Sequence, residues 1–299
     1  MGRFLTRLID AQARWAKPFG DFNQRWLAAV YRPLGPLKDF LHGRWLGHPL
    51  HSAATDIPIG VLTLVIVLDV LGQPTAADIS LVVGILFLLA SAVTGAADYV
   101  ETDGTARVRA TVHSTLMVIA LVVYLVSLAM RAGGPADRTL PIAVSIVAYL
   151  ILNAGAYVGG DVVYALGNMV SRHAFRGAGT KWIRLDLPGE LSTAAASAPG
   201  VSPELAIPEG VPTKAKLGIN NLVLVRTGDT IHALHEVCAH AGGPLSEGRV
   251  VDGCIECPWH GSRFRLEDGR AARGPTVYDQ PAYDIRWGDQ GWEARRRPG

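Results

Sequence analysis

The sequence predicts two unlike domains in one chain: an all-α bundle of four transmembrane helices followed by an all-β domain. Three observations carry this. Residues 57–160 are dominated by Leu, Val, Ile and Ala; from Thr180 onward the texture is polar and punctuated by Gly and Pro; and all three cysteines, Cys238, Cys254 and Cys257, fall within twenty residues of the second half. A chain of 299 residues is long enough for two domains of about 100–200 residues each. The expected divisions are a leader at 1–47, the bundle at 48–172, a linker at 173–184 and the β domain at 185–299.

The leader mixes bases such as Arg3, Arg7, Arg14, Lys17 and Arg25 with Phe4, Trp15, Phe19, Phe22 and Trp26, and is broken by Pro18, Pro33 and Pro36. That composition suits the headgroup layer of an anionic leaflet, or a solvated segment that only sets topology. Its opening residues hold no apolar run of signal-peptide length, so the N-terminus is expected to stay in the cytoplasm. A net charge of +2, with no basic stripe outside the leader, argues against nucleic acid as a partner.

The four apolar stretches lie at 57–71, 79–97, 111–130 and 140–160. About 20 residues are needed to cross the hydrocarbon core. The first stretch is short and contains Asp69, so its helix must start near His51 or sit tilted inside the bundle. Buried helices of a soluble protein are disfavoured by three successive, near-unbroken apolar stretches joined by short loops. Lys and Arg concentrate before the first span, at Arg107 and Arg109, and after the last span, whereas the first connection, QPTAAD, has none. Both termini are therefore expected on the cytoplasmic side of a bacterial inner membrane.

That orientation collects His48, His51, Asp56, Asp98, His113 and Asp161 at the cytoplasmic ends of the four helices. Each alone could be an interfacial residue or a cap. Together they could form a second redox site, with His51 and His113 as ligands of a b-type haem and His48 as the alternative to His51. In a quinone site, one imidazole with Asp56 or Asp98 would handle the quinol proton.

In the β domain the decisive residues are Cys238-Ala239-His240 and Cys257-Pro258-Trp259-His260, a C-x-H … C-x-x-H pair. An iron–sulfur centre with two thiolates on one iron and two imidazoles on the other needs two loops, each giving one sulfur and one nitrogen. Zinc sites usually group Cys with Cys and His with His, so the mixed pairs count against zinc. His232 and His235 lack a partner at ligand spacing and read as ordinary strand residues, and Cys254 reads as a small core residue.

These motifs, with the strand-like LVLVRTGDTIHALHEVCAHAGGPLSEG before them and the Gly274-Pro275 turn after, resemble the Rieske ferredoxin-like family over roughly the last 115 residues. The resemblance implies a small antiparallel β sandwich capped by two loops that hold a [2Fe–2S] cluster. Cys238 and Cys257 would bind the inner iron, and His240 and His260 the outer one. Neutral imidazole ligands raise the potential into a window of about −150 to +300 mV. High-potential members of the family add a disulfide between the loops, a serine hydroxyl and a tyrosine hydroxyl. Here Gly243 and Trp259 take the places of the disulfide cysteines and Phe264 that of the tyrosine, while Ser262 matches the serine. The resemblance therefore implies a potential in the lower part of the window.

The string HPLHSAATDIPIG, with TGAADYV and TVHSTLMV, resembles a family of bacterial four-helix membrane domains that implies no activity. The expected function is one-electron transfer at the membrane, between a quinol, haem or cytoplasmic donor and an unidentified redox partner protein. A non-catalytic redox sensor and a ferredoxin component of an oxygenase system are the alternatives. A complete ring oxygenase fails on length, because it needs a mononuclear iron site of two histidines and a carboxylate, and only 39 residues, none of them histidine, follow His260.

Overall fold

The computed structural model describes residues 2–134, 137–173, 181–187, 207–288 and 291–297, so most of the expected linker at 173–184 lies outside the described residues. The chain divides into two units, Met1–Asn168 and Met169–Gly299.

The first unit is helical: α1 (Gly2–Asp10), α2 (Ala13–Tyr31), α3 (Gly35–Leu41), α4 (Leu50–Val70), α5 (Pro74–Val100), α6 (Gly104–Arg131) and α7 (Thr139–Tyr164). The last four, of 21–28 residues, are long and apolar enough to cross a membrane. The break between α4 and α5 is chemical: Gly72 takes a φ of 65°, and Pro74 opens the next helix, where its missing N–H costs nothing.

Around the bundle α4 neighbours α5, α5 neighbours α6, α6 neighbours α7 and α7 neighbours α4, which leaves α4 and α6 diagonal. Leu62 and Val65, Leu81 and Ile85, Tyr124, and Leu152 fill the centre from the four helices in turn. The outer faces expose Leu64, Val67, Leu86, Val122, Leu125 and Leu150. So much exposed aliphatic surface suits lipid and not water.

Asp69, the residue that shortened the first apolar stretch, ends α4 against Arg131 of α6 at 2.6 Å, with both side chains 1% exposed. Arg131 also reaches Asp78 at 3.0 Å, and Arg138 pairs with Asp78 as well. A charge is tolerated there because it is paired inside the bundle.

The leader folds into α1, α2 and α3. Its three helices pack on α5 and α6. Asp10 pairs with Arg109 at 3.0 Å, Asp21 with Arg107 at 2.9 Å and Lys38 with Glu101, while His42 meets Asp98 at 2.7 Å. Gly20 is required for this fit, since a Cβ there would lie 2.5 Å from Thr111 Oγ1.

The second unit is all-β. Its strands are β1 (Ile183–Arg184), β2 (Thr213–Leu217), β3 (Asn220–Thr227), β4 (Thr230–His235), β5 (Arg249–Val251), β6 (Cys254–Glu256), β7 (Arg263–Arg265), β8 (Ala271–Arg273), β9 (Ala282–Gly288) and β10 (Gly291–Arg296). They form a six-stranded sheet, ordered β1-β10-β9-β4-β3-β2, and a four-stranded sheet, β5-β6-β7-β8, with every pair antiparallel. The β5–β6 hairpin turns on Asp252-Gly253, both at positive φ, the pairing a two-residue turn demands. Strand β2 alternates buried and exposed residues, as one-sided burial requires.

Candidate metal centre

Two loops define the site. The first leaves β4 and runs through Cys238 and His240 to Pro244; the second joins β6 to β7 through Cys257 and His260. Each is closed by the same pair of backbone bonds. Cys238 N donates to Gly243 O at 2.9 Å and Gly242 N to Cys238 O at 3.0 Å, while Cys257 N donates to Ser262 O at 2.8 Å and Gly261 N to Cys257 O at 3.1 Å. Gly242 and Gly261 hold φ of 91° and 72°, which lets each loop double back within so few residues.

This closure brings the two motifs together. The Cys238 and Cys257 side chains are hydrogen-bonded to each other, and the rings of His240 and His260 lie 5.0 Å apart at 86°. Backbone N–H groups of His240 and Ala241 point at the Cys238 sulfur, and those of Trp259 and His260 at the Cys257 sulfur. The hydrogen bond from Cys238 brings the Cys257 thiol down to about 7, against the opposing effect of burial, with the amides of Trp259 and His260 adding to it. Cys238 moves well upward, because it shares that proton with Cys257 and is buried. A pair of sulfurs ringed by amide donors is an environment made for thiolates.

The donor set therefore fits a cluster with two sulfur and two imidazole ligands: all four groups converge from two loops, and both sulfurs have donors that stabilise negative charge. Cys238, His240 and Cys257 are buried, whereas His260 is half-buried, so of the four it is His260 that lies nearest the solvent. Gly243 closes the first loop tightly, because a Cβ there would come 2.8 Å from Cys257 Sγ. Ser262 is fully buried, its Oγ accepting from Thr276 N at 3.2 Å, and Phe264 lies in the core with Cys238 and Cys257.

Several supporting residues escaped the sequence reading. Gln280 Nε2 donates to His235 O at 2.5 Å and Val237 O at 2.8 Å, and its Oε1 accepts from Ala239 N at 2.9 Å. It ties the first loop from 41 residues away, at a spacing no local motif shows. Glu236 accepts from Ser246 N at 3.0 Å and Ser246 Oγ at 2.6 Å. His173 Nε2 donates to Val237 O at 2.8 Å and its ring lies 4.5 Å from that of His235. Cys254 is buried in β6, and His232 bonds Thr227 at 2.8 Å.

The histidines and carboxylates of the bundle separate into different roles. His51 and His113 come together, with ring centroids 6.2 Å apart. Asp98 is taken by His42, Asp56 is exposed, Asp161 pairs with Arg109, and His48 Nδ1 lies 3.5 Å from Pro49 O.

Known proteins resemble the chain in two blocks. Residues 200–284 match the Rieske [2Fe–2S] domain family, and residues 47–172 match the family described as "Predicted membrane protein (DUF2231)". The anthranilate 1,2-dioxygenase ferredoxin subunit of Burkholderia cepacia is 35% identical over 78 residues, 26% of this chain and 72% of that protein. Apoptosis-inducing factor 3 of Mus musculus is 38% identical over 56 residues, 19% of this chain but only 9% of that protein. Among solved structures, the ferredoxin of carbazole 1,9a-dioxygenase from Nocardioides aromaticivorans IC177 is 30% identical, covering 31% of this chain and 89% of that one with a TM-score of 0.28. Through its C-terminal domain the chain belongs to the Rieske [2Fe–2S] family, whose cluster carries electrons, and it joins that domain to a DUF2231 membrane domain.

Proposed function

We propose that the chain is a membrane-anchored one-electron carrier whose [2Fe–2S] cluster is held by Cys238, His240, Cys257 and His260. The observation that carries this reading is the convergence of two thiols and two imidazoles from loops closed by matching backbone bonds. When bound, the cluster supplies a site that gains and loses a single electron. The residues do the rest: four N–H groups hold charge on the sulfurs, Gln280 and Glu236 fix the first loop, and the buried core keeps water from the cysteine side.

The anchor is the four-helix bundle, with both termini and the cluster domain on the cytoplasmic side. The donor is a quinol, a haem or a cytoplasmic reductase. Because the Burkholderia relative is the ferredoxin subunit of a dioxygenase, the acceptor of this chain is proposed to be an oxygenase-type partner. Membranes washed with alkaline carbonate should keep the reduced cluster's EPR signal, and its titration should follow a single-electron curve. A cysteine at Ala76 should label from outside, and one at the fully exposed Ile219 only after the membrane is opened. A signal released into the wash, or the opposite labelling, contradicts the anchor or its orientation.

A further inference from the structure

We infer that the bundle carries a second cofactor site: a b-type haem whose iron is held by His51 and His113. The inference stands apart from the cluster, since none of its residues belongs to the second unit.

The two histidines occupy matching positions. His51 begins α4 and His113 lies in the first half of α6, the two diagonal helices, and each is followed by a serine, Ser52 or Ser114. His51 Nδ1 meets Ser91 O on α5 at 2.9 Å, and His113 Nδ1 meets Gly155 O on α7 at 2.8 Å. A carbonyl only accepts, so each ring carries its proton on Nδ1 and leaves Nε2 as the free lone pair. Metal-ligating histidines are prepared in this way, by donating the other N–H to a backbone carbonyl.

The matching continues beneath the rings. Four residues after each accepting carbonyl stands a glycine, Gly95 on α5 and Gly159 on α7. A Cβ at either would lie 2.8 Å from the histidine ring packed on it. Each imidazole thus packs on helix backbone at a glycine, where a side chain would meet the ring. Neither Nε2 has a hydrogen-bond partner among the described residues, so each keeps its lone pair for a ligand.

The separation identifies the ligand class. Two imidazoles bound through Nε2 on opposite sides of one metal, at about 2.0–2.1 Å, place their ring centroids roughly 6 Å apart; the observed value is 6.2 Å. No third His, Cys, Asp or Glu joins His51 and His113 in a group able to hold a metal among the described residues, which leaves a tetrahedral zinc site there without its ligands. A porphyrin supplies the missing four equatorial nitrogens. Every cysteine lies in the other domain, so the macrocycle would not be covalently attached.

The full chain, purified in detergent and titrated with haemin, tests this. One haem per chain with a low-spin bis-imidazole spectrum is expected, and His51→Ala and His113→Ala should each abolish that spectrum. His113→Met should keep the haem but shift its α band and raise its potential, as methionine ligation does. The cluster's EPR signal should be the same in all variants and serves as the control for folding. A chain with its EPR signal intact but no Soret band overturns the inference. So does haem uptake unchanged in both alanine variants, or copper or zinc bound in place of haem. Haem uptake without a Rieske EPR signal would instead sink the cluster assignment and leave this site standing.

Discussion

Gly243 and Trp259 face each other across the two cluster loops: a Cβ on Gly243 would lie 3.0 Å from the indole and 2.8 Å from Cys257 Sγ. By the family resemblance, these would be the positions of the inter-loop disulfide in high-potential Rieske proteins. Here the gap is closed by an aromatic ring lying over bare backbone, and the loops depend on that contact and on their own backbone bonds.

Gly243→Ala should therefore lower cluster occupancy. The added methyl meets a proposed ligand sulfur, and overpacking of this kind costs about 1–3 kcal/mol. Iron and acid-labile sulfide per chain, measured with the visible absorbance, should fall together; full occupancy with an unchanged spectrum would show that the loops are looser than described.

Gln280→Leu should destabilise the first loop while leaving all four proposed ligands in place. The substitution strips the partner from Ala239 N and from the carbonyls of His235 and Val237. Burial without those bonds costs about 1–3 kcal/mol. Thermal unfolding followed through the cluster absorbance should shift downward, and an unshifted midpoint would mean that Gln280 is a passenger.

Phe264→Tyr should raise the midpoint potential. Phe264 is fully buried in the same core as Cys238 and Cys257, and a phenol there would offer a hydrogen bond to a ligand sulfur. A neutral bond worth about 1 kcal/mol more to the reduced form corresponds to roughly 40 mV for a one-electron couple. Film voltammetry of the folded variant reads this directly, and the absence of any rise would count against the match of the second loop to its relatives.

The legible parts of this protein are the local ones. Each cluster loop carries its sulfur and nitrogen within four residues, so spacing alone pointed to the chemistry. Span length and apolarity marked the four helices, and Asp69 only blurred the first because its partner, Arg131, stands 62 residues away. Partners distant in sequence stayed hidden for the same reason. Gln280 reaches back 41 residues to the first loop, and His42 reaches forward 56 to Asp98. In the leader, Asp10 and Asp21 bind Arg109 and Arg107 of α6, 99 and 86 residues away, pairs that only packing shows. Hydropathy gathered the ionisable residues at one end of the bundle, yet only packing separates the paired His51 and His113 from carboxylates already engaged elsewhere.

The most direct test of the central claim is the EPR spectrum of the dithionite-reduced full chain, taken beside Cys238→Ser, His240→Ala, Cys257→Ser and His260→Ala. A Rieske-type signal is expected, with two histidine nitrogens coupled to the spin in pulsed measurements and the signal lost in each variant. An all-cysteine [2Fe–2S] spectrum without nitrogen coupling, or zinc in place of iron, would contradict it.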